Sequence, residues 1–515
     1  MAENVTKNET AGTGACFNYF LTGKFFTVKM LLLGLVVSQI ISFIHVYLSN
    51  TRLYHSLKNI DAAGYLTVPN QNIIENLNDM GPAFYGGFFF TLSAGALLSL
   101  SGLVSAFIWI RFFRRKKILL IPFIVLWAGL TGEVNTKGFL PIISLYFILI
   151  PSIVFFIASR HMPPARPRKT GILFEAIPVI MILVLAIFWT FKIDSGIFIN
   201  IRDNLLLSNS LGIKINDFYY RYTLYPAEAV KSLDQKLIRT YRFNKLNDET
   251  LAGQIRKKLA NNDYLELNDR EVDLGIEARN NNIIFSNKGK IILTTPSMEF
   301  LKNPEKTLSE FSIKTDRQDF FRRFIFFSLI SGLPAMMIIF FYSILAFFIN
   351  LFFEYRRASS VSLSLCLIVA VLISAYLNNV SGRPVDENNL SEALKSDRWQ
   401  NRVKALRIID EKKMDIARLG AYQDMLTSPH IPVRYWLAKT MGSSRRPETY
   451  KYLLAFMDDP SPNVVCMAYY SAGKRTEKRT ETIKELLKRI KVSGHWYEQW
   501  YAYKALRALG WKQKI

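Results

Sequence analysis

The chain has 515 residues, half of them hydrophobic, and carries 65 Lys and Arg against 41 Asp and Glu, a formal net charge of +24. A mean hydropathy of +0.14 beside 21% charged residues excludes a uniformly soluble composition and implies strongly apolar segments set among ordinary soluble ones. The basic charge is scattered, which argues against a nucleic-acid binder and fits Lys and Arg anchoring helix ends on the cytoplasmic side of a membrane.

Residues 1–24 form a mostly polar tail. A membrane span needs roughly 20 apolar residues at about 1.5 Å of rise each. Six runs qualify: Phe25–Leu48, Ala83–Ile110, Phe139–Ala158, Ile172–Phe191, Phe324–Phe353 and Ser359–Leu377. The first is too long for a signal-peptide core and reads as a retained anchor. Ile118–Leu130 is shorter, and its length suits either a span or a re-entrant segment. Charge favours the span. Lys24 and Lys29, the cluster from Arg111 to Lys117, the cluster from Arg160 to Lys169, and Arg356 with Arg357 share one side only if this run crosses. The expected body is a polytopic α-helical membrane protein of about seven spans, N-terminus inside and C-terminus outside. Spans 1–5 fall in 25–191, with an outer loop at 50–82, and spans 6–7 fall in 323–379. In a bacterial inner membrane the outer side is the periplasm.

Within the second span, Gly95, Ser99, Gly102 and Ala106 share one helical face, as close helix packing requires. Pro122, Pro141, Pro151, Pro178 and Pro334 fall inside spans, where they interrupt helices of transporters but are also tolerated in ordinary bundles. Ionisable groups in a membrane are candidates for function. His45 and Glu175 lie near span ends, where snorkelling is the plain expectation. Glu133 and Asn135 occupy the short turn between the third and fourth spans and are a candidate ion or proton site, the plain alternative being an exposed polar turn.

Residues 192–322 read as a small extracytoplasmic α+β domain. Phe218, Tyr219, Tyr220, Tyr222 and Tyr225 form an aromatic cluster that suits a ligand, a core or a face resting on the membrane. The pattern predicts helices over Ala227–Thr240 and Asp248–Ala260, and short strands over Tyr264–Leu267 and Asp273–Ile276. A hairpin, Asn282–Phe285 and Lys290–Thr295, turns at Ser286–Gly289. In outline this order resembles a winged helix, although the expected outer location argues against DNA binding.

After a linker at 380–387, residues 388–515 repeat. Ser396-Asp397-Arg398-Trp399-Gln400-Asn401-Arg402-Val403, Ser428-Pro429-His430-Ile431-Pro432-Val433-Arg434 and Asp459-Pro460-Ser461-Pro462-Asn463-Val464-Val465 each join a polar or proline turn to an alanine-bearing helix. They recur about every 30 to 35 residues. The region resembles the HEAT-repeat family of α-solenoids, although Val465 stands where the pattern has arginine and the first repeat lacks proline. The resemblance implies protein binding through a concave face of successive helices. Arg434, Trp496, Tyr497 and Trp500 are candidate interaction residues, with solenoid core or cap as the plain reading of the aromatics. Lys and Arg exceed Asp and Glu in this region by about twelve, which suits an acidic partner or an anionic membrane surface as well as a solvated basic face.

Chemical motifs are absent from the sequence. Cys16, Cys366 and Cys466 suggest no pairing, the five histidines form no H-E-x-x-H, and Ala472-Gly473-Lys474-Arg475 falls short of a P-loop. No cofactor, metal or catalytic group is expected. The leading expectation is a membrane scaffold or assembly protein, with membrane lipid and a protein partner and without nucleic acid. A transporter or channel component with a site near Glu133, and a membrane enzyme with an extracytoplasmic site, stay open as alternatives.

Overall fold

The computed structural model describes residues 25–162, 195–245, 248–269, 271–353, 355–380, 385–420 and 422–513. Apolar helices come first: α1 (Phe26–Ala62), α2 (Met80–Arg111), α3 (Lys117–Val134) and α4 (Pro141–His161). Short helices α5 (Ser195–Ile201), α6 (Ser210–Tyr222) and α7 (Leu224–Val230) lead to β1 (Arg239–Lys245), α8 (Glu249–Asn261) and β2 (Tyr264–Glu266). Then come β3 (Leu274–Arg279), β4 (Asn282–Asn287), β5 (Lys290–Pro296), α9 (Ser297–Lys302) and α10 (Pro304–Thr315). The apolar α11 (Asp319–Ile349) and α12 (Tyr355–Val380) precede an all-helical remainder. That remainder comprises α13 (Leu390–Lys395), α14 (Trp399–Glu411), α15 (Ile431–Thr440), α16 (Pro447–Phe456), α17 (Pro462–Ala472), α18 (Arg479–Val492) and α19 (Trp496–Ala508). The chain divides into two units, each drawn from three separated stretches. One holds Met1–Val46, Ala83–Asp194 and Arg317–Ser374; the other holds Tyr47–Pro82, Ser195–Asp316 and Ala375–Ile515.

The first unit is a helical bundle. Five helices, α1 to α4 and α11, are long and apolar enough to cross a membrane, and α12 holds a shorter apolar stretch, Ser360–Ile373. The expected span Ile172–Phe191, with Glu175 and Pro178, lies outside the described residues. The short run Ile118–Leu130 is part of one continuous helix, α3. Its neighbours fix its direction: Arg115, just past the end of α2, donates to the carbonyls of Ser159 and Met162 at the end of α4 (3.3 and 3.4 Å). With the ends of α2 and α4 together, α3 runs back between them. At α1's start, Phe25 meets Phe347 near the end of α11, ring centroids 4.5 Å apart.

Small residues decide the packing. Gly95 lies against Ser38, Ser99 against Gly34, and Gly102 against the Pro151 carbonyl, so α2 approaches α1 and α4 with no room for a Cβ. The glycine and serine stripe is therefore a packing face, surrounded by Met30, Leu31, Leu100, Leu103 and Val154. His45, expected to snorkel, is instead buried against the rings of Phe90, Tyr146 and Phe321, because α1 continues as helix well past the apolar run. The same continuation makes the first part of the expected loop 50–82 helical, to Ala62.

The second unit combines a mixed sheet with the helical repeats. The sheet order is β2-β1-β3-β4-β5, with β1 parallel to both β2 and β3, and β3, β4 and β5 antiparallel. Helix α8 is the crossover that a parallel β1–β2 pair requires, and Asp248 caps it by accepting from the N–H groups of Thr250 and Leu251. Tyr241, Ile255, Leu259, Leu274, Ile276, Phe285 and Phe311 form the core. Lys288 and Gly289 both adopt positive φ, the requirement of the tight hairpin turn between β4 and β5. The predicted helix Ala227–Thr240 is wrong. The helix stops at Val230, the Ser232–Gln235 capping box closes one turn, and Arg239 opens the strand whose Tyr241 enters the core. With parallel pairing around β1, the sheet is not that of a winged helix.

In the repeats, α14, α15, α17 and α19 pack side by side as an inner row, while α13, α16 and α18 back them as an outer row. Where a fourth outer helix belongs, before α15, the chain makes only two 3-10 turns, Ile416–Arg418 and Gln423–Met425. Proline starts α15, α16 and α17, where its missing N–H removes no helical bond. Three of the four inner helices open on a turn locked by a side chain six residues beyond a serine; the turn before α17, with Val465 at the matching place, lacks this lock. Arg402 donates to the Ser396 carbonyl, Arg434 to that of Ser428 (2.6 Å each), and Gln499 to that of Ser493 (2.7 Å). A fourth repeat thus begins at Ser493.

Candidate functional site

The binding face that such a row would offer is the side of α14, α15, α17 and α19 turned away from the outer helices. Here it is covered by the chain itself. On α17, Asn463, Val464, Val465, Cys466, Met467, Ala468 and Tyr469 are all buried, more than one side of a helix can place against its neighbours. The cover is the stretch from α5 to α7, which meets the four inner helices in order. Asn200 accepts from Arg407 of α14 (3.1 Å), Asp203 from the indole N–H of Trp436 of α15 (2.8 Å), and Asn463 of α17 from Asn216 (2.7 Å). Thr223 shares a hydrogen bond with the Tyr497 hydroxyl of α19 (3.0 Å), and Tyr225 meets Trp496 edge to face at 5.0 Å.

Electrostatics concentrate at Trp436. Asp203 is 2% exposed and accepts from both Trp436 and Arg202, while the Arg202 guanidinium lies 4.0 Å from the Tyr435 ring centroid. Lys439 sits 4.5 Å from the Trp436 ring and pairs with Asp410 at 2.7 Å. Burial opposes the charge of Arg202, but Tyr435 and Asp203 outweigh it and raise its pKa above the ordinary value. The result is a pair held by aromatic faces and costly to break from the Arg202 side, because Asp203 alone would be an uncompensated buried charge.

The last repeat is pinned at further points. The Asn70 side chain donates to the carbonyls of Ile490, Lys491 and Ser493 (2.7, 3.1 and 3.1 Å), and its backbone N–H donates to Gln499. Gln513 exchanges two hydrogen bonds with the Leu66 backbone. Asp263 pairs with Arg507 at 2.7 Å and accepts from Tyr503. His495, opening α19 near Tyr220, has its pKa pushed down to about 4 by burial and by Arg221, so it sits there neutral.

The expected site residues are placed as follows. Arg434 forms a two-pronged pair with Asp459 (2.7 and 3.1 Å) and ties one repeat turn to the next. Trp496 is buried, Tyr497 packs on Tyr219 and Tyr220, and Trp500 lies under the Lys504 ammonium at 3.7 Å. Trp496 and Tyr497 face the chain's own middle segment, at Tyr225 and at Tyr219 with Tyr220. Glu133 is exposed on the last turn of α3. Asn135 uses its side chain to tie Thr131, Leu140 and Ser144 together, which shapes the turn. Among the described residues no group of three or more His, Cys, Asp or Glu could hold a metal.

A buried polar seam in the first unit was not anticipated. Thr91 donates to Gln39 (2.7 Å), Tyr146 donates to Ser42 (3.0 Å), and Ser328 donates to the Ser93 carbonyl. Ser93 and Ser328 lie in two π-helical turns, Thr91–Gly95 and Ser328–Gly332, which pack on each other. The signal available in the sequence was Ser38, Gln39, Ser42 and His45 at helical spacing in the first apolar run.

No curated protein and no solved structure matches the chain. Residues 421–509 match the HEAT-repeat family. The inner and outer helix rows, the proline starts and the recurring turn locks are what that match looks like in three dimensions, and the C-terminal region is a HEAT-repeat module, a type of protein-interaction domain.

Proposed function

We propose that this is an integral membrane protein of about seven spans that holds its HEAT-repeat module and the small α+β domain on the extracytoplasmic side, serving there as a scaffold or assembly protein. One observation carries the reading: a single body is built from Tyr47–Pro82, Ser195–Asp316 and Ala375–Ile515. A soluble body lies on one side of a bilayer, so successive stretches must be separated by even numbers of crossings. Between the first two lie α2, α3 and α4, which with the apolar run Ile172–Phe191 make four. Between the second and third lie α11 and the apolar part of α12, which make two. α1 is the crossing before them. The N-terminus then shares its side with the basic clusters at Arg111–Lys117 and Arg160–Lys169, which is the cytoplasmic side. In a bacterial cell the module would face the periplasm.

Because α5 to α7 occupy the inner row, a partner protein meets the outer row, α16 and α18, where Lys484 and Lys488 alternate with Glu481 and Glu485 in a groove of mixed charge. Reporter fusions after Lys169 and after Ile515 test the arrangement. Opposite sides, with Lys169 cytoplasmic, are expected; a shared side would overturn it. Photo-cross-linkers at Lys484 and Lys488 of the full chain are expected to trap one specific protein that a cross-linker at Ile291 does not, and labelling indistinguishable from the Ile291 control would remove the scaffold role.

A second reading, a transport or channel component, is favoured by the Gln39–Thr91 and Ser42–Tyr146 seam between helices rather than by Glu133. It expects Gln39→Leu to abolish a flux that Glu133→Gln leaves intact in reconstituted vesicles.

A further inference from the structure

Helix α6 has two faces. One carries Gly212, Asn216 and Tyr220 and lies on the repeats, with Gly212 against the carbonyls of Leu205 and Leu206, where a Cβ has no room. The other carries Leu211, Ile215, Phe218 and Tyr222 at spacings of four, three and four, a single stripe in which Leu211 is 68%, Ile215 51% and Phe218 40% exposed. Phe198, Leu205 and Tyr219 are exposed in the same region, whereas the described residues from Leu390 onward expose only Tyr470 and Val492 among their large apolar side chains. A patch of this kind marks a docking surface.

We infer that the Leu211–Ile215–Phe218–Tyr222 stripe lies in the headgroup and upper acyl region of a lipid bilayer, making α6 an interfacial helix that rests the repeat module on the membrane. The inference rests on the membrane reading above. Chain continuity names the occupant. α5 begins four residues after Phe191, the end of an apolar run of bilayer length, which is at most ~14 Å of chain. Of the other exposed large apolar side chains of this unit, Leu48 in α1, Met80 at the head of α2 and Ile313 just before α11 sit at similar junctions, whereas Ile291 and Met298 lie apart from them at the edge strand β5 and in α9. Lys214 and Arg221 are exposed at the borders of the stripe, against one exposed acid, Asp217, and tyrosine suits the interface, with its apolar ring and polar tip. The opposite face of α6 is committed to Asn463 and Tyr497, so the helix is held with its apolar side outward.

The test uses the full chain with Cys16, Cys366 and Cys466 replaced by alanine and an environment-sensitive fluorophore on Ile215→Cys, reconstituted in vesicles of zwitterionic and anionic phospholipid. Leu211→Cys serves as a second probe, Ile344→Cys in α11 reports membrane insertion, and Ile291→Cys on β5 reports exposure to water. Spin-labelled lipid is expected to quench the 211, 215 and 344 probes several-fold more than the 291 probe. Quenching at 344 with 211 and 215 behaving like 291 would overturn the inference and leave the membrane reading intact. Probes at 211 and 215 shielded from both lipid quencher and aqueous iodide would assign the stripe to a protein surface and overturn it too. Absence of quenching at 344 would overturn the membrane reading and the inference together.

Discussion

Helices α1 and α17 are both apolar, yet they solve opposite problems. In α17 nearly every side chain from Asn463 to Ala472 is buried, because outer helices cover one side and the α5–α7 stretch covers the other. In α1 the side chains Leu32, Val36, Ile40 and Ile44, four residues apart, stay exposed while Met30 and Leu31 are buried. An apolar helix covered all round by its own chain is a core element. One that keeps an exposed apolar stripe over this length is what the proposed membrane reading would place against lipid. The comparison makes the α5–α7 cover, rather than the repeat sequence itself, the feature that distinguishes this module from a solenoid with an open binding face.

The largest effect that would sharpen the contrast is at Asp203. Asp203→Ala leaves the Trp436 N–H buried without an acceptor and strips half-buried Arg202 of its ion partner while its contact with Tyr435 stays, and is expected to cost about 2–3 kcal/mol, read as a fall in the hydrogen-exchange opening energy of α15. A loss below ~1 kcal/mol would mean that the cover is loosely held. Arg434→Ala, inside the repeats, is expected to cost about 2 kcal/mol by removing the Asp459 pair and the lock on Ser428, with Arg434→Lys restoring part of it. At Asn216 and Asn463 each single change to leucine is expected to cost about 1–2 kcal/mol, by leaving a buried amide unpaired. The double change should cost less than the sum, and strict additivity would deny that the pair bridges α6 and α17.

Acid supplies a smaller test of the same cover. His495 is held neutral, with a pKa near 4 against 6.5 in the unfolded chain, so its contribution is complete above pH 6.5 and is lost as pH falls through 4. Half-buried Glu498 is shifted upward by desolvation and therefore acts in the opposite sense over acid pH. The expected result is thus a difference: exchange protection of α19 falls more steeply between pH 6.5 and 4 in the native protein than in His495→Gln. Identical profiles would place His495 in water. The smallest effect is expected in the first unit, where Glu133→Gln, at an exposed position, should change stability by less than about 0.5 kcal/mol.

Much of this was legible in the chain. Apolar run lengths marked α1, α2, α4 and α11, and the basic clusters indicated that the short α3 runs the full way back, since charge at helix ends depends on local sequence and topology alone. The serine and proline turns marked three repeats because capping and helix initiation are local. The fourth escaped because Ser493 has no proline after it and Gln499 replaces the arginine that locks the first two turns. The helix expected over Ala227–Thr240 was carried past Val230 into the first two residues of β1, whose remainder was not anticipated, because the Ser232–Gln235 box that ends the helical region looks like helix from its composition. The candidate interaction residues Trp496 and Tyr497 were recognised as aromatic anchors, but not what they anchor.

What the sequence determined by itself was therefore local: which segments are apolar, where helices start, and how one repeat follows another. Tertiary structure alone decided that stretches separated by membrane-length helices assemble into one body, and that the inner row of the repeats is filled by α5 to α7. Asn216 meets Asn463 across 247 positions of sequence, and Asp203 meets Trp436 across 233. Such partners leave no periodic trace in the chain, because each side's pattern is complete without the other. Only their joint burial, with every polar atom answered, makes the contact specific.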